Sequence, residues 1–264
     1  MNKFILFFLL AFSANTQAQS ESLLSSIPIY SSKPSLDDLT DNISFDLHVD
    51  DAISLKGTLS QWDNIQSEVL SDTLLKVSLN GQAHFNQIHG QQTLKDSFVI
   101  DFKEPSTQVF IQGFNNVQDT ELKDIEIESL ANYVSEYITE PTYIHSFNIA
   151  SRVASQRSGD CTEYAALTTA LTRALGIPAR YVVGFVIYAK DNKLAAFGHA
   201  WTEVLHQQKW QILDAALFGN DFEQLYYIPT SALENEGPGY TLSLASAIFS
   251  FPSRIDNLQN AIEQ

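Results

Sequence analysis

Apolar and polar residues alternate in three short segments of the first half of the chain. The segments 43–49 and 75–79 show the alternation clearly, and the segment 98–102 shows it more weakly. Because successive side chains of a strand point to opposite faces, this period of two predicts half-buried strands of an antiparallel sheet. The pattern therefore predicts a small β-rich region at residues 19–118.

The apolar period becomes helical beyond residue 122. The first apolar stripe ends before Glu140–Pro141 and consists of Leu130, Tyr133, Val134, Tyr137 and Ile138. Spacings of three and four residues predict an amphipathic helix there, and Pro141 is a helix-ending signal. A second short helix is predicted at residues 146–156.

The clearest helical pattern follows Gly159-Asp160. Its apolar stripe ends before Gly176 and consists of Tyr164, Leu167, Leu171, Ala174 and Leu175. A glycine followed by proline is a common helix stop. Strand-like segments come next, at 181–188, 199–205 and 209–213. Helices followed by antiparallel strands indicate an α+β domain, which we place at residues 119–230.

The C-terminal residues 231–264 carry a weaker helical pattern. Ile255, Leu258 and Ile262 recur at helical spacing. They predict a C-terminal helical extension that packs on the preceding domain.

The first 18 residues have the features of a signal peptide. A short n-region with Lys3 precedes an apolar run from Phe4 to Phe12, and Ala18 offers a small-residue cleavage point. The apolar run is shorter than a transmembrane helix requires. A membrane anchor and a buried N-terminal element are the alternatives. We expect a periplasmic or secreted protein without a stable membrane span.

The charge of the chain narrows the range of partners. The formal net charge is −16, and lysines and arginines form no cluster along the sequence. Nucleic acid and anionic membranes are therefore not expected to bind. The six histidines are scattered without the spacing of metal ligands, so neither a metal nor a cofactor is expected.

Cys161 is the single cysteine of the chain and stands where the clearest helix should begin. The positive end of a helix dipole stabilises a thiolate, and thiols at helix N-termini can titrate well below the ordinary value of about 8.5. A structural cysteine would instead be expected on the stripe that contains Leu167 and Leu171. The position predicts a nucleophile with a lowered pKa.

His199 and Asp214 can supply the base and the group that orients it. A two-residue turn at Gln207-Gln208 would place His199 diagonal to Asp214 on one face of a hairpin, within reach of a hydrogen bond. We expect Nδ1–H to bind the carboxylate and Nε2 to face the thiol. Gln-Gln is not a favoured turn pair, so another register, with His199 and Asp214 on opposite faces, is the alternative.

Four blocks of sequence in this region resemble the transglutaminase-like superfamily. They lie between residues 122 and 217, at 159–165, 171–180, 198–204 and 210–215. The resemblance implies a papain-like α+β fold in which helices pack on an antiparallel sheet. It further implies that Cys161 is the nucleophile, His199 the general base and acid, and Asp214 the orienting group. It points to the bacterial branch of the superfamily.

The oxyanion site needs two hydrogen-bond donors. The backbone N–H of Cys161 is the first candidate, because it lies at a helix start. Gln156 and the indole of Trp201 are candidates for the second. Trp201 and Trp210 would share the face of His199 in the predicted register.

Three functions remain open at this point. The first is a cysteine hydrolase that cleaves peptide or other amide bonds through an acyl-enzyme. The second is a transamidase, in which an amine replaces water as the acceptor. The third is a non-catalytic peptide-binding module. In each case the expected partner is a protein or peptide, and the oligomeric state is undetermined.

Overall fold

A computed structural model describes residues 26–30, 39–85, 91–117, 126–142, 146–191 and 193–261. The helices are α1 Ala52–Leu59, α2 Pro105–Val117, α3 Ile127–Tyr137, α4 Ala150–Gln156, α5 Cys161–Ala174 and α6 Tyr240–Phe249. The strands are β1 Ser26–Ile27, β2 Ile29–Tyr30, β3 Asn42–His48, β4 Trp62–Ser71, β5 Leu74–Phe85, β6 Glu140–Pro141, β7 Ser158–Gly159, β8 Ala179–Lys190, β9 Lys193–His206, β10 Lys209–Leu213, β11 Gln224–Ala232 and β12 Arg254–Asn260.

Two five-stranded sheets form the centre of the molecule. Sheet A has the order β1-β9-β8-β11, with β10 also paired to β9. Sheet B has the order β2-β12-β3-β5-β4. Ala200 and Val204 of β9 belong to apolar clusters shared with the helices, whereas Trp201 belongs to a cluster shared with sheet B. Helices therefore cover one face of sheet A and sheet B covers the other, and the predicted α+β class is confirmed.

The strongest periodic segments have the predicted structure. β3 covers residues 43–48 of the first alternating segment, and β5 covers the second. α3 and α5 contain the two apolar stripes except their last residues, Ile138 and Leu175, which are the C-caps of these helices. β8, β9 and β10 include the three predicted strands of the second half. The short helix predicted at 146–156 is present but begins only at Ala150.

The segment 98–102 is not a strand, contrary to the prediction. The backbone N–H of Ile100 donates to Ser97 Oγ at 3.0 Å, and Ser97 N donates to Ile100 O at 3.2 Å. These local bonds close a turn that buries Val99 and Ile100 completely. The alternation of apolar and polar residues in this segment therefore reflects a buried turn and not a strand. Serine side chains can bond the backbone locally, and such bonds compete with the hydrogen bonds of a β-sheet.

The predicted C-terminal helix is wrong in the described residues. Ile255 and Leu258 lie in β12, which pairs with β3, and Ile262 lies outside the described residues. A bulge between Asp256 and Gln259, with Asn257 at φ 55°, shifts the pleat. Both apolar residues therefore face the core although they are three positions apart. The helix of this region is α6, which lies upstream.

The N-terminal segment joins both sheets. β1 pairs with β9 in sheet A, and β2 pairs with β12 in sheet B. The predicted signal peptide lies outside the described residues. No helix in the described part of the chain is long and apolar enough to cross a membrane.

Candidate active site

Cys161 is the first residue of α5, as the sequence predicts. Asp160 caps the helix by accepting from Thr162 N at 2.9 Å, and Glu163 reaches back to Asp160 N at 3.0 Å. These reciprocal bonds form a capping box that fixes the start of the helix. A Cβ at Gly159 would overlap the Cβ of Glu163. Glycine before the cap therefore lets the chain approach the helix closely enough for the box to close.

A cavity of about 420 Å³ opens at this helix start. Cys161 and His199 both line it, together with Gly198 and the apolar side chains of Tyr188, Phe197 and Leu217. Cys161 is partly exposed, whereas His199 is almost fully buried. The structure thus brings two of the three predicted residues to the wall of one cavity.

His199 and Asp214 meet across the β9–β10 hairpin in the predicted register. Trp210 pairs with Leu205 and Leu213 pairs with Thr202. Gln207 and Gln208 form the turn with positive φ angles of 50° and 65°, as a tight two-residue hairpin turn requires. His199 Nε2 lies 2.7 Å from Asp214 Oδ2.

The ring nitrogen bound to Asp214 differs from the expectation. Nε2 contacts the carboxylate, so Nδ1 is the nitrogen left for a substrate or thiol. The pairing register was right, but hairpin geometry does not determine which edge of the imidazole points along the strand. The rotamer of His199 decides it.

The Asp214 carboxylate is held by several donors. Besides His199, Oδ2 accepts from the hydroxyl of Tyr227 at 2.8 Å, and Oδ1 accepts from Ala216 N at 3.0 Å and Leu217 N at 3.1 Å. Burial alone would raise the pKa of Asp214, but the charge of His199 and these hydrogen bonds hold it below its ordinary value. The buried group is therefore an anion that can orient and stabilise an imidazolium.

Tyr227 is a part of the site that sequence reasoning missed. Tyr227 lies on β11, whose sequence shows no clear alternation of apolar and polar residues. The reason is that the centre of this strand is buried on both faces. Burial and the Asp214 carboxylate raise the pKa of Tyr227 above its ordinary value. The hydroxyl therefore stays protonated and donates to Asp214.

The electrostatics of Cys161 differ from the sequence expectation. Burial and the neighbouring Asp160 carboxylate raise the pKa of the thiol well above its ordinary value, and Asp214 and Glu163 act in the same direction. A hydrogen bond from the backbone N–H of Ala200 opposes them. The position at a helix start therefore does not lower the pKa of this thiol, because burial and the nearby carboxylates outweigh it.

Glu163 is itself perturbed. Burial and the Asp160 carboxylate raise its pKa to about 7. Its second oxygen accepts from Asn148 N at 2.8 Å. The carboxyl thus links the start of α5 to the loop that precedes α4.

Neither side chain proposed as the second oxyanion donor lines the cavity. Gln156 is exposed at the end of α4, and Trp201 is buried with its ring stacked on His199 at 6.2 Å. Trp210 lies further along the same face, where the Arg180 guanidinium sits 3.7 Å from its ring centre. These tryptophans belong to the core beneath the site.

One protein-family model matches part of the chain. The family model described as the transglutaminase-like superfamily matches residues 112–215. None of the curated proteins compared with the chain matches it.

Solved structures give weaker likenesses. A candidate cysteine protease from Cytophaga hutchinsonii is 14% identical with a TM-score of 0.38, and the match covers 80% of this chain and 88% of that one. The periplasmic domain of TgpA from Pseudomonas aeruginosa is 17% identical with a TM-score of 0.42, covering 68% and 74%. Red sea bream transglutaminase is 9% identical with a TM-score of 0.33, covering 68% and 47%.

The matched segment contains α3, α4 and α5, the β9–β10 hairpin, and all three residues of the predicted triad. Residues 112–215 of the chain therefore match the model of the transglutaminase-like superfamily.

Proposed function

We propose that the chain is an exported thiol enzyme that cleaves or transfers peptide and other amide acyl groups through an acyl-enzyme. Cys161 would be the nucleophile, His199 the general base and acid, and Asp214 the orienting anion. One observation carries the proposal: His199, bound through Nε2 to the multiply hydrogen-bonded Asp214 carboxylate, lines the same cavity as Cys161.

The geometry suggests how the proton moves. Nδ1 of His199 is the nitrogen that would accept the proton of the Cys161 thiol while the sulfur attacks the carbonyl carbon. Because burial and carboxylates raise the pKa of the thiol, proton transfer would accompany the attack. The imidazolium would then protonate the departing amine, and the acyl group would remain as a thioester on Cys161.

Water is the proposed acceptor for the thioester. An amine acceptor would give transamidation by the same steps, so the two functions differ only in the second half of the reaction. The experiment incubates the protein with a mixture of peptides and Gln/Lys donor pairs and follows product masses. Hydrolysis adds the mass of water to the fragments, whereas transamidation joins donor and acceptor with loss of ammonia.

Cys161→Ala and His199→Gln should each reduce turnover by several orders of magnitude. His206→Gln, at the end of the same strand and outside the cavity, is the matched control and should retain activity. Retention of activity by Cys161→Ala would contradict the proposal. Export is tested separately, since protein recovered from the periplasm or medium should begin near Gln19.

A further inference from the structure

Glu163 is a completely buried carboxyl that lies directly behind the wall of the cavity. Gly159 lines the cavity, and a Cβ at Gly159 would lie 2.2 Å from the Cβ of Glu163. The stem of Glu163 therefore supports the backbone of this wall. Burying an ionisable group is costly, yet the proposed proton transfer, which uses the triad alone, gives Glu163 no part.

The two carboxyl oxygens of Glu163 bind different parts of the chain. Oε1 accepts from Asn148 N at 2.8 Å, in the segment that precedes α4. Oε2 accepts from Asp160 N at 3.0 Å, at the residue that caps α5. The hydroxyl of Thr162 lies 3.1 Å from the same oxygen. One side chain thus ties the start of the helix that bears Cys161 to a separate segment of the chain.

Both ends of this connection pack around the proposed nucleophile. Phe147 and Ile149, on either side of Asn148, pack against the same apolar cluster as Cys161. The sulfur of Cys161 in turn accepts a hydrogen bond from the backbone N–H of Ala200. The position of the sulfur on β9 therefore depends on where the start of α5 is held.

The charge of Glu163 acts against the thiol, whereas its hydrogen bonds hold the helix start. Among the described residues, the ionisable groups that face Glu163 are Asp160, Cys161, Tyr181 of β8 and Tyr240 of α6. Since the pKa of Glu163 is about 7, the carboxyl is mostly an anion at a pH of about 8. This anion raises the pKa of Cys161. Charge and hydrogen bonding therefore have opposite effects on the proposed reaction and can be measured separately.

We infer that Glu163 is a positioning residue for the proposed nucleophile. Its two oxygens hold the cap of α5 to the segment before α4, and this connection keeps the sulfur of Cys161 at the Ala200 N–H, beside His199. A misplaced nucleophile reacts slowly even when it is ionised, because acyl transfer needs the reacting atoms in near-attack geometry. The inference rests on the proposed function, since it assigns a further residue to the same reaction.

Glu163→Gln breaks this connection at one end. An amide has a single oxygen, so glutamine can accept from Asn148 N or from Asp160 N but not from both. The substitution also removes the charge beside Cys161, so the pH of half-maximal alkylation of Cys161 by iodoacetamide should shift downward. Acylation of Cys161 by p-nitrophenyl acetate at a pH of about 8 should nevertheless become about tenfold slower.

The two reagents report different properties of the site. Iodoacetamide needs only an ionised and accessible sulfur, because the sulfur displaces iodide. Acylation by p-nitrophenyl acetate forms a sulfur–carbonyl bond and breaks the ester bond, while His199 takes the thiol proton and p-nitrophenolate leaves. Intact mass and peptide mapping locate both modifications at Cys161, and the absorbance of p-nitrophenolate gives the rate of acylation.

Asp101→Asn is the matched control. Asp101 is also a buried carboxyl at a helix start, where it accepts from Ser151 N at 2.7 Å in the first turn of α4, and it does not line the cavity. This variant should have a lower free energy of unfolding than the unchanged protein. Its rate of acylation and its alkylation midpoint should both be unchanged.

Thr162→Val provides a second test in case Glu163→Gln does not fold. It replaces the hydroxyl that donates to Asp160 Oδ1 at 2.7 Å and contacts Glu163 Oε2 at 3.1 Å, and acylation should become about fivefold slower. Thr168→Val is its control, because Thr168 is a buried threonine of the same helix whose hydroxyl donates to Tyr164 O at 2.7 Å. Thr168→Val should be acylated at the rate of the unchanged protein.

The outcomes separate the inference from the proposed function. A folded Glu163→Gln variant that is acylated as fast as the unchanged protein, or an equal slowing in Asp101→Asn, overturns the positioning role and leaves the proposed function standing. So does slower acylation without a lower alkylation midpoint, which a merely structural role predicts. Where Glu163→Gln does not fold, equal rates in Thr162→Val and Thr168→Val have the same meaning. If p-nitrophenyl acetate does not acylate Cys161 in the folded, unchanged protein, the proposed function fails and this inference fails with it.

Discussion

At the scale of single residues, the Asp214 carboxylate depends on a hydroxyl from a different strand. Tyr227 Oη and His199 Nε2 donate to the same oxygen. A carboxylate that keeps both donors has one orientation, and so does the imidazole bound to it. Tyr227 therefore acts on the proposed chemistry through Asp214 as a positioning residue.

Tyr227→Phe removes this donor without changing the shape of the ring. We expect turnover to fall about tenfold and the free energy of unfolding to fall by about 1.5–3 kcal/mol, the range for a hydrogen bond to a charged group. Because the pKa of Asp214 is lowered in the folded state, the stability difference should be present above pH about 4 and shrink as the pH falls below it. Thermal unfolding and steady-state rates measure both quantities.

Tyr226→Phe is the matched control for this prediction. Tyr226 also donates one hydrogen bond, to Thr40 O at 2.8 Å, away from the cavity. The Tyr226→Phe variant should have a lower free energy of unfolding than the unchanged protein and the same turnover. A Tyr227→Phe variant that behaves in the same way would contradict a positioning role.

Asp160 gives a second prediction at this scale, because its carboxylate raises the pKa of Cys161. Asp160→Asn removes the charge, and asparagine caps helices as well as aspartate does. The pH of half-maximal alkylation of Cys161 by iodoacetamide should therefore shift downward. Asp51→Asn removes the cap carboxylate of α1, which accepts from Ser54 N at 2.9 Å, and should leave that pH unchanged. An unchanged or raised midpoint in Asp160→Asn would refute the electrostatic explanation.

At the scale of elements, local signals predicted most of what lies close along the chain. The start of α5 at Cys161 and the β9–β10 hairpin are both local, and the sequence indicated both. The turn residues Gln207 and Gln208 are unfavourable at positive φ, yet burial of the face with Trp201 and Trp210 specifies the register. Packing of the buried face therefore selects a turn that the intrinsic preferences of the two glutamines do not favour.

Features that depend on distant partners were not predictable in the same way. The sequence of β12 predicts a helix, because the bulge places the two core residues Ile255 and Leu258 three positions apart, as in a helix. Only the pairing with β3 shows that the segment is a strand. Tyr227 reaches Asp214 because β11 pairs with β8, far away in sequence. The raised pKa of Cys161 depends first on burial of the thiol and also on Asp160, Asp214 and Glu163. The sequence shows the two neighbouring carboxylates, but neither the burial nor the approach of Asp214.

Gly184 provides a prediction about how β8 and β11 fit together. It pairs with His199 on one side, and a Cβ there would overlap the backbone oxygen of Ile228 and lie 2.7 Å from Trp201 Cη2. Because the overlap is with backbone, a rotamer change cannot relieve it. Gly184→Ala should destabilise by about 1–3 kcal/mol and reduce turnover, since Ile228 adjoins Tyr227.

Gly57→Ala is the control with the opposite sign. Gly57 lies inside α1, and a Cβ there meets nothing within 4 Å. Alanine in a helix interior is favoured over glycine by about 0.5–1 kcal/mol, so this variant should be slightly more stable. Denaturant unfolding of both variants checks the pair, and equal stability of Gly184→Ala and the unchanged protein would refute the close-packing argument.

At the scale of the whole molecule, the two sheets share one core. Trp62 of sheet B donates its indole N–H to Glu203 of sheet A at 2.9 Å. Glu203 is fully buried, and burial raises its pKa to about 7 although Arg180 and Trp62 oppose the shift. Removing sheet B would leave this carboxyl and the apolar face around Trp201 uncovered. The region predicted as a catalytic domain therefore lacks a complete core of its own.

This arrangement predicts that residues 119–230 do not fold alone. Their sheet A face would lose its cover from β3, β5 and β12, including the fully buried side chains of Phe45 and Ile255. Each such side chain is worth about 1.5–3 kcal/mol on burial, and only a few of them equal the stability of a typical domain.

A chain ending at residue 252 should also lose cooperative unfolding, because β12 lies between β2 and β3. A chain that lacks only residues 262–264 is the control and should melt like the complete protein. Circular dichroism during heating and labelling of Cys161 by iodoacetamide measure folding and the site together. Cooperative melting of the fragment 119–230, with Cys161 reacting as in the complete chain, would show that sheet B is dispensable and that the transglutaminase-like segment is an independent domain.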